Sequence, residues 1–315
     1  MILTVTPNPS VDHTLEIAAL TRGDVLRVQR SGLHAGGKGV NVSRVLRRNG
    51  QATRAVLPVG GPEGGRLTAL LAEHGVVTVP VPIAAAIRGN VTIAESDGTT
   101  TKLNVPGPVL AEDEGAALLA AVAAELALGP RWLVAAGSLP SGLPADFYAR
   151  LARIAADSGV PMAVDSSGAP LEIAALAGGI DLLKPNHEEL AGLIGRDLPT
   201  IGDVAEAARE VQRWGNSTIL VTLGGHGALL ADAEHTWWAG APPPVPRSTV
   251  GAGDCALAGY LSGDAPPAER LRRAVAWGTA AVTLPGTTVP GPDDIDPGAV
   301  GVVTDPDPAL VVKEL

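Results

Sequence analysis

Aromatic residues make up only 3% of this 315-residue chain, as five Trp, two Tyr and one Phe. A core anchored on large rings is therefore excluded. The 46% of hydrophobic residues must pack instead as Val, Leu, Ile and Ala. The one cysteine, Cys255, rules out a disulfide within the chain. It is expected to be a small buried residue rather than a reactive thiolate. The six His show no metal-ligand spacing with it. No apolar run reaches the roughly 18 residues of a membrane span. The opening Met1–Pro7 reads as a strand running into a turn, without the charged leader and apolar core of a signal peptide. These absences lead to the expectation of a soluble, cytoplasmic protein. Basic clusters are no longer than Arg47-Arg48 and Arg272-Arg273, and the net charge is −10, which argues against nucleic acid as a partner. A small anionic ligand stays compatible, since one pocket can be locally positive.

Short β-rich runs alternate with helical stretches along the chain. Ile2–Thr6, Thr53–Val59, Trp132–Ala136, Pro161–Asp165, Asp181–Lys184 and Thr218–Leu223 read as buried strands. Val40–Arg48, Arg66–His74, Glu112–Leu128, Ala145–Ala156 and Val204–Trp214 read as helices. The alternation predicts an α/β fold with a mainly parallel sheet flanked by helices. Ligands of such sheets bind beyond the carboxyl ends of the strands. One segment breaks the rhythm: Asn90–Glu95 and Thr100–Val105 alternate around Ser96-Asp97-Gly98-Thr99, a hairpin signal. Extended pieces near Thr14–Ile17 and Val25–Gln29 are expected to join it in a small sheet acting as a lid. The whole of 1–315 is expected to form one domain, with lid segments near 13–34 and 87–106. There is no internal repeat, and the Pro-, Gly- and Asp-rich tail after Leu284 reads as irregular up to Val303.

Several turns carry chemistry. In Thr249-Val250-Gly251-Ala252-Gly253-Asp254, small residues open a helix whose unpaired amides and dipole suit phosphate oxygens. A carboxylate inside an anion site makes sense if Asp254 accepts a proton from a hydroxyl. The same residues also fit an ordinary Asp helix cap. Gly36-Gly37-Lys38-Gly39 is not a phosphate-binding P-loop, because Gly rather than Ser or Thr follows the lysine. It still allows a ligand to lie against backbone, with Lys38 and Asn41 as donors, and plain helix entry explains it too. Asp12 just past the first strand suits capture of sugar hydroxyls, or is a turn residue. Arg88 before the hairpin is either a guanidinium for a substrate phosphate or a solvated surface residue. Gly137-Ser138-Leu139-Pro140 and Asp165-Ser166-Ser167-Gly168 each leave a strand. Asn186 and Glu189, three apart at a helix start, fit a hydrated Mg²⁺ or a capping box. Thr222-Leu223-Gly224-Gly225-His226-Gly227 leaves a strand through three glycines and fits a nucleotide or a tight turn.

Taken in order, these motifs resemble the ribokinase-like, PfkB-type carbohydrate kinases over nearly the whole chain. The resemblance rests on the early Gly36-Gly37-Lys38-Gly39-Val40-Asn41, the Asn186 to Glu189 element and the late Gly251 to Asp254 turn. The opening Thr6-Pro7-Asn8-Pro9-Ser10-Val11-Asp12 is similar to that of the family's sugar-phosphate kinases. The resemblance implies a ribokinase-like three-layer domain with a small β-sheet lid. It implies transfer of phosphate from ATP, with Mg²⁺, to D-fructose 1-phosphate, with tagatose 6-phosphate as the alternative acceptor. A non-catalytic sugar-phosphate-binding regulator is a more distant alternative. Carried over by position, Asp254 becomes the base, and Gly251, Ala252 and Gly253 supply the amides facing the phosphoryl group. Asp12, Gly37, Lys38 and Asn41 hold the sugar, and Arg88, Ser138 and Arg27 face its phosphate. Thr222, Leu223, Gly224, Gly225, His226 and Gly227 line the nucleotide, with Lys184, Asn186 and Gly253 near its phosphates. Asn186 and Glu189 hold Mg²⁺ through water. The lid edges also make a homodimer an expected assembly.

Overall fold

The computed structural model describes residues 1–314. The chain enters through β1 (Ile2–Val5) and turns at once into a second, smaller sheet through β2 (Ser10–Ile17) and β3 (Arg30–Gly36). It returns through α1 (Lys38–Arg48), β4 (Thr53–Val59), α2 (Gly61–Glu73) and β5 (Val77–Pro82). The smaller sheet is completed by the hairpin β6 (Arg88–Glu95) and β7 (Thr100–Leu103). Then α3 (Glu112–Leu126), β8 (Trp132–Ala136), α4 (Phe147–Asp157), β9 (Met162–Asp165) and α5 (Gly168–Ala177) alternate. They are followed by β10 (Leu182–Leu183), α6 (His187–Ile194), α7 (Ile201–Arg213) and β11 (Thr218–Thr222). Antiparallel strands β12 (Ala228–Ala231) and β13 (Thr236–Gly240), helices α8 (Ala252–Leu261) and α9 (Pro267–Val282), and β14 (Gly301–Thr304) end the fold.

The main sheet has ten strands in the order β14-β13-β12-β11-β10-β9-β8-β1-β4-β5. From β11 to β5 every pairing is parallel, and β12, β13 and β14 are added antiparallel. Successive side chains of a strand face opposite sides, and both sides are buried. Leu133 and Ala135 of β8 join the core under α3 to α7, while Val134 and Ala136 join the core under α1, α8 and α9. Two apolar faces explain why these strands read as near-continuous hydrophobic runs, and the result is three layers of helix, sheet and helix. A third cluster, with Val11 and Ala35 against Leu67 and Leu71, roots the smaller sheet on α2. The smaller sheet runs in the order β3-β2-β6-β7. Among the described residues, no helix is long and apolar enough to cross a membrane.

Three local expectations change. Val25–Gln29 is not a strand: β3 begins at Arg30, because its pairing with β2 sets Glu16 opposite Arg30 and Ser10 opposite Gly36. Residues 18–29 form the exposed connection instead, where Val25 is 96% exposed. The tail is not irregular up to Val303, since β14 pairs with β13 and sets Val303 opposite Trp238. That strand is too short for its alternation to be legible and owes its form to its partner. Helix α2 starts at Gly61, earlier than its apolar periodicity, with Pro62 in the first turn where a missing N–H costs nothing.

Parallel strands bring the ends of β1, β8, β9, β10 and β11 to one edge, and the smaller sheet rises from that edge through Pro7–Pro9. Leu133, fully buried in β8, tests how tightly the sheet is packed. Leu133→Ala is expected to cost about 2–5 kcal/mol in urea unfolding. A loss below about 1 kcal/mol would mean the two helical layers collapse freely onto the sheet.

Candidate active site

At the carboxyl edge lies a cleft of about 1030 Å³ between the main sheet, the smaller sheet and the start of α8. Its floor is an ionic cluster. Asp165, the last residue of β9, is 1% exposed and accepts from Lys38 Nζ at 2.6 Å through Oδ1. Its Oδ2 lies 2.9 Å from Lys184 Nζ. Lys38 is the first residue of α1, and Lys184 directly follows β10, so three separate elements meet here. Burial works to raise the Asp165 carboxyl, but the two ammonium groups outweigh it and hold the carboxyl below its ordinary range. Burial likewise opposes the charge on Lys38, and the contact with Asp165 overrides it, so Lys38 stays charged.

Asp254 stands beside this cluster. Its helix is entered through Gly251, at φ 79°, a left-handed backbone that suits glycine. Gly251 is the cap, and the Asp254 side chain makes no capping bond. Instead Asp254 Oδ2 accepts from Asn41 Nδ2 at 2.8 Å. Asn41 is aimed by Arg44, whose Nη1 donates to Asn41 Oδ1 at 3.3 Å and to the Ala35 carbonyl at 3.2 Å. Burial pushes the Asp254 carboxyl up and the negative Asp165 adds to this. The Asn41 hydrogen bond and the Lys38 and Lys184 charges pull it back, leaving it at about 7. The Gly253 and Asp254 amides have no hydrogen-bond partner among the described residues, whereas the Ala252 amide approaches the Thr249 carbonyl at 3.4 Å. Cys255 is 2% exposed, and burial, together with neighbouring Asp254, pushes its thiol up, so it is held as an inert thiol.

The opposite wall belongs to the smaller sheet. Asp12 Oδ1 accepts from Ser10 Oγ at 2.7 Å and Asn90 Nδ2 at 2.9 Å. Arg88 Nη2 donates to the Asn8 carbonyl at 3.0 Å. Ser138, just beyond β8, accepts from Asn8 Nδ2 at 3.1 Å. At the far end, Asn186 and Glu189 form a reciprocal capping box on α6: Glu189 N donates to Asn186 Oδ1 at 2.7 Å, and Asn186 N to Glu189 Oε2 at 2.8 Å. The capping explanation of this pair is therefore realised, and both residues still line the cleft.

Of the residues singled out in the sequence, the cleft gathers Asp12, Gly37, Lys38, Asn41, Arg88, Ser138, Lys184, Asn186, Glu189, Thr222, Gly224, Gly225, Gly227 and Gly251 through Asp254. Three lie apart from it. Arg27 is exposed on the connection between β2 and β3. Leu223 is buried beneath the glycine turn, in the core at 4% exposure. His226 closes that turn, and its carbonyl accepts from Trp238 Nε1 at 3.0 Å. The sequence motifs assigned no role to Asn8, Asn90, Lys102 and Asp165, which also line the cleft, or to Arg44 behind it. Asp165 had a signal, a carboxylate ending an apolar strand before Ser166-Ser167-Gly168. Arg44 had none, since an arginine on a helix ordinarily faces water. The cleft continues between the Pro243–Pro246 loop and Val275, Gly278 and Thr279 of α9.

A family model described as pfkB family carbohydrate kinase matches residues 5–294. The ATP-dependent 6-phosphofructokinase isozyme 2 of Escherichia coli K12 is 35% identical over 298 residues, covering 93% of this chain and 96% of that protein. The 1-phosphofructokinase of Rhodobacter capsulatus is 36% identical over 301 residues, covering 93% of each. The crystal structure of E. coli phosphofructokinase-2 in complex with substrates and products superposes with a TM-score of 0.86 at 34% identity, covering 93% of this chain and 96% of that one. An Arabidopsis thaliana ribokinase, at 22% identity and a TM-score of 0.69, shares the fold.

Asp165→Asn leaves Lys184, 3% exposed, without its counter-charge. It is expected to lower unfolding free energy at pH 7 by about 3–5 kcal/mol, with the half-buried Lys38 adding less. The contribution depends on the carboxylate: it is complete above the ordinary value of 3.8 and is lost as pH falls through the lower value in the fold. Equal stability of the variant and the wild type in urea titrations would show that the lysines do not rely on Asp165.

Proposed function

Because the chain belongs to the pfkB family of carbohydrate kinases, we propose that it transfers the γ-phosphoryl group of ATP to the 6-hydroxyl of D-fructose 1-phosphate, giving fructose 1,6-bisphosphate and ADP. The family is one of carbohydrate kinases, and the relatives are phosphofructokinases, one of them named as ATP-dependent. The observation that carries the mechanism is the Asp254 carboxylate, 6% exposed, beside two unspent amides at the start of α8. The choice of fructose 1-phosphate is supported by the Rhodobacter relative. Fructose 6-phosphate is the second reading, favoured by the similarity to 6-phosphofructokinase isozyme 2, and tagatose 6-phosphate is the third.

In this reading Asp12, Gly37 and Lys38 hold the sugar, and Arg88 and Ser138 hold the phosphate it already bears. The attacking hydroxyl lies against Asp254. As the new P–O bond forms and the bond to ADP breaks, the hydroxyl proton passes to Asp254 Oδ1 or Oδ2. The transition state is loose, so positioning and charge stabilisation do most of the work. The amides of Gly253 and Asp254, with Gly251 and Ala252 shaping the turn, stabilise the transferred phosphoryl oxygens. Asn41 does not face the sugar freely: its Nδ2 is committed to Asp254, and it tunes and aims the base. Lys38 and Lys184 add positive charge where the ATP phosphates meet the acceptor. Thr222, Gly224, Gly225 and Gly227 form the nucleotide wall. The donor set also fits Mg²⁺. Glu189 lines the cleft with only Oε2 committed to the cap, and Asn186 beside it completes a site for a hydrated ion bound mainly to water and phosphate. Bound there, Mg²⁺ would neutralise charge on the ATP phosphates.

The smaller sheet serves as the lid over the acceptor, excluding water as a competing acceptor. Its edge strands β3 and β7 each pair on one side only, and packing between two such sheets is the expected route to a homodimer.

Release of ADP from MgATP, with fructose 1-phosphate, fructose 6-phosphate and tagatose 6-phosphate offered side by side, tests the reading. Fructose 1-phosphate is expected to give the highest kcat/KM, and Asp254→Ala to lower kcat at least about a hundredfold with ATP binding kept. A preference for another hexose phosphate moves the substrate only, while near-normal turnover in Asp254→Ala removes the base. The pH dependence follows from the same group. Asp254 must be ionised to accept a proton, so kcat/KM is expected to rise with pH through about 7. Asn41→Ala should move this limb upward, because the hydrogen bond that favours the carboxylate is gone. A limb unchanged in Asn41→Ala would detach it from Asp254.

A further inference from the structure

Where the smaller sheet leaves the main one, two hydrogen bonds converge on a single residue. Asn8, 6% exposed, lies just past β1. Its carbonyl accepts from Arg88 Nη2 at 3.0 Å, and its Nδ2 donates to Ser138 Oγ at 3.1 Å. It thus joins the first residue of β6 to the turn beyond β8, and all three residues line the cleft.

Each of these bonds leaves a donor open. Ser138 Oγ accepts from Asn8, so its own hydrogen is available to another acceptor. The Gly137 carbonyl is held by Tyr148 Oη at 2.7 Å and Ser166 Oγ at 2.9 Å. No peptide is cis, and in a trans peptide the following N–H points away from the carbonyl. The Ser138 amide therefore faces away from Tyr148 and Ser166, and it has no partner among the described residues. Arg88 Nη1 lies 3.4 Å from the Val105 carbonyl, and its buried Nε has no partner. The two unspent donors of Ser138, beside the cationic Arg88 guanidinium, match the oxygens of a phosphate monoester. Gly107 closes the other side of the Asn8 amide, so near that any added Cβ would overlap it.

We propose that Asn8 is the positioning residue of the subsite for the phosphate already carried by the acceptor sugar. By giving its Nδ2 hydrogen to Ser138 it turns the serine hydroxyl into a donor toward the ligand, and by accepting from Arg88 it aims the guanidinium. The inference rests on the sugar-phosphate kinase reading for the nature of the ligand. It requires asparagine and not aspartate. A carboxylate has no hydrogen to give, so in Asn8→Asp it would take the Ser138 proton and set a negative charge against the phosphate.

The test compares wild type, Asn8→Asp and Gly107→Ala, the last displacing the amide from outside. kcat and the separate KM values for ATP and for the hexose phosphate that the wild type uses are measured. Asn8→Asp is expected to raise the hexose phosphate KM at least about tenfold, the scale of a lost charge-assisted contact, with the ATP KM within about twofold. Gly107→Ala should shift the same constant in the same direction by less. A merely structural role would lower melting temperature and kcat and leave both KM values unchanged. That result, or an equal rise for ATP, overturns the proposal and leaves the kinase reading standing. If the wild type turns over no hexose phosphate, isothermal titration with the same three compounds decides. Binding that weakens in Asn8→Asp keeps the subsite and ends the kinase reading, and no binding overturns both.

Discussion

The ion cluster around Asp165 sets the terms for everything else in the cleft. A carboxylate at 1% exposure survives as an anion only because two lysines contact it, and the lysines are held by different parts of the fold. Lys38 arrives on α1 from the glycine turn after the smaller sheet, and Lys184 arrives from the end of β10. Removing any one member leaves a charge without its partner in a place where water cannot replace it. The cluster therefore ties the carboxyl ends of β9 and β10 to the start of α1 at the middle of the site.

The same cluster governs Asp254. Two buried carboxylates close together repel, and burial disfavours both anions, so one of them must yield. Asp165 keeps both lysines in direct contact and stays ionised. Asp254 has only the Asn41 hydrogen bond and more distant positive charge, and its carboxyl rises to about 7. An aspartate with an ordinary carboxylate value would be a feeble base toward an alcohol, whereas this one is poised near neutrality. The raised value of Asp254 is thus supplied by its environment and not by its place in the Gly251–Asp254 turn.

The glycine turns were legible because their demands are local. Gly251 needs a left-handed backbone and the amides that follow need an opening helix, and both requirements are written in adjacent residues. The parallel sheet was legible for a similar reason: strands buried on both faces have no polar side to show. The residues that escaped notice work through partners distant in the chain. Asn8 meets Ser138 across 130 positions and Lys38 meets Asp165 across 127, and Arg44 is informative only because its neighbours wall it from water. Arg27, Leu223 and His226 belong to promising segments but are not among the residues that line the cleft. The connection between β2 and β3 leaves Arg27 exposed, Leu223 packs into the core, and His226 closes the glycine turn with its carbonyl held by Trp238.

What the sequence determined by itself is the architecture and the chemical vocabulary of the site. Strand alternation, apolar runs and glycine spacing act within a few residues, so the layers, the two sheets and the glycine turn that opens α8 follow from them. The tertiary structure alone decided which charges are neighbours. That Asp165 is ionised, that Asp254 is not an ordinary carboxylate, and that Asn41 faces Asp254 all depend on distances of a few ångströms between elements far apart in the chain. Electrostatic energy varies with those distances and with exclusion of water, and neither quantity exists until the strands have been brought to one edge.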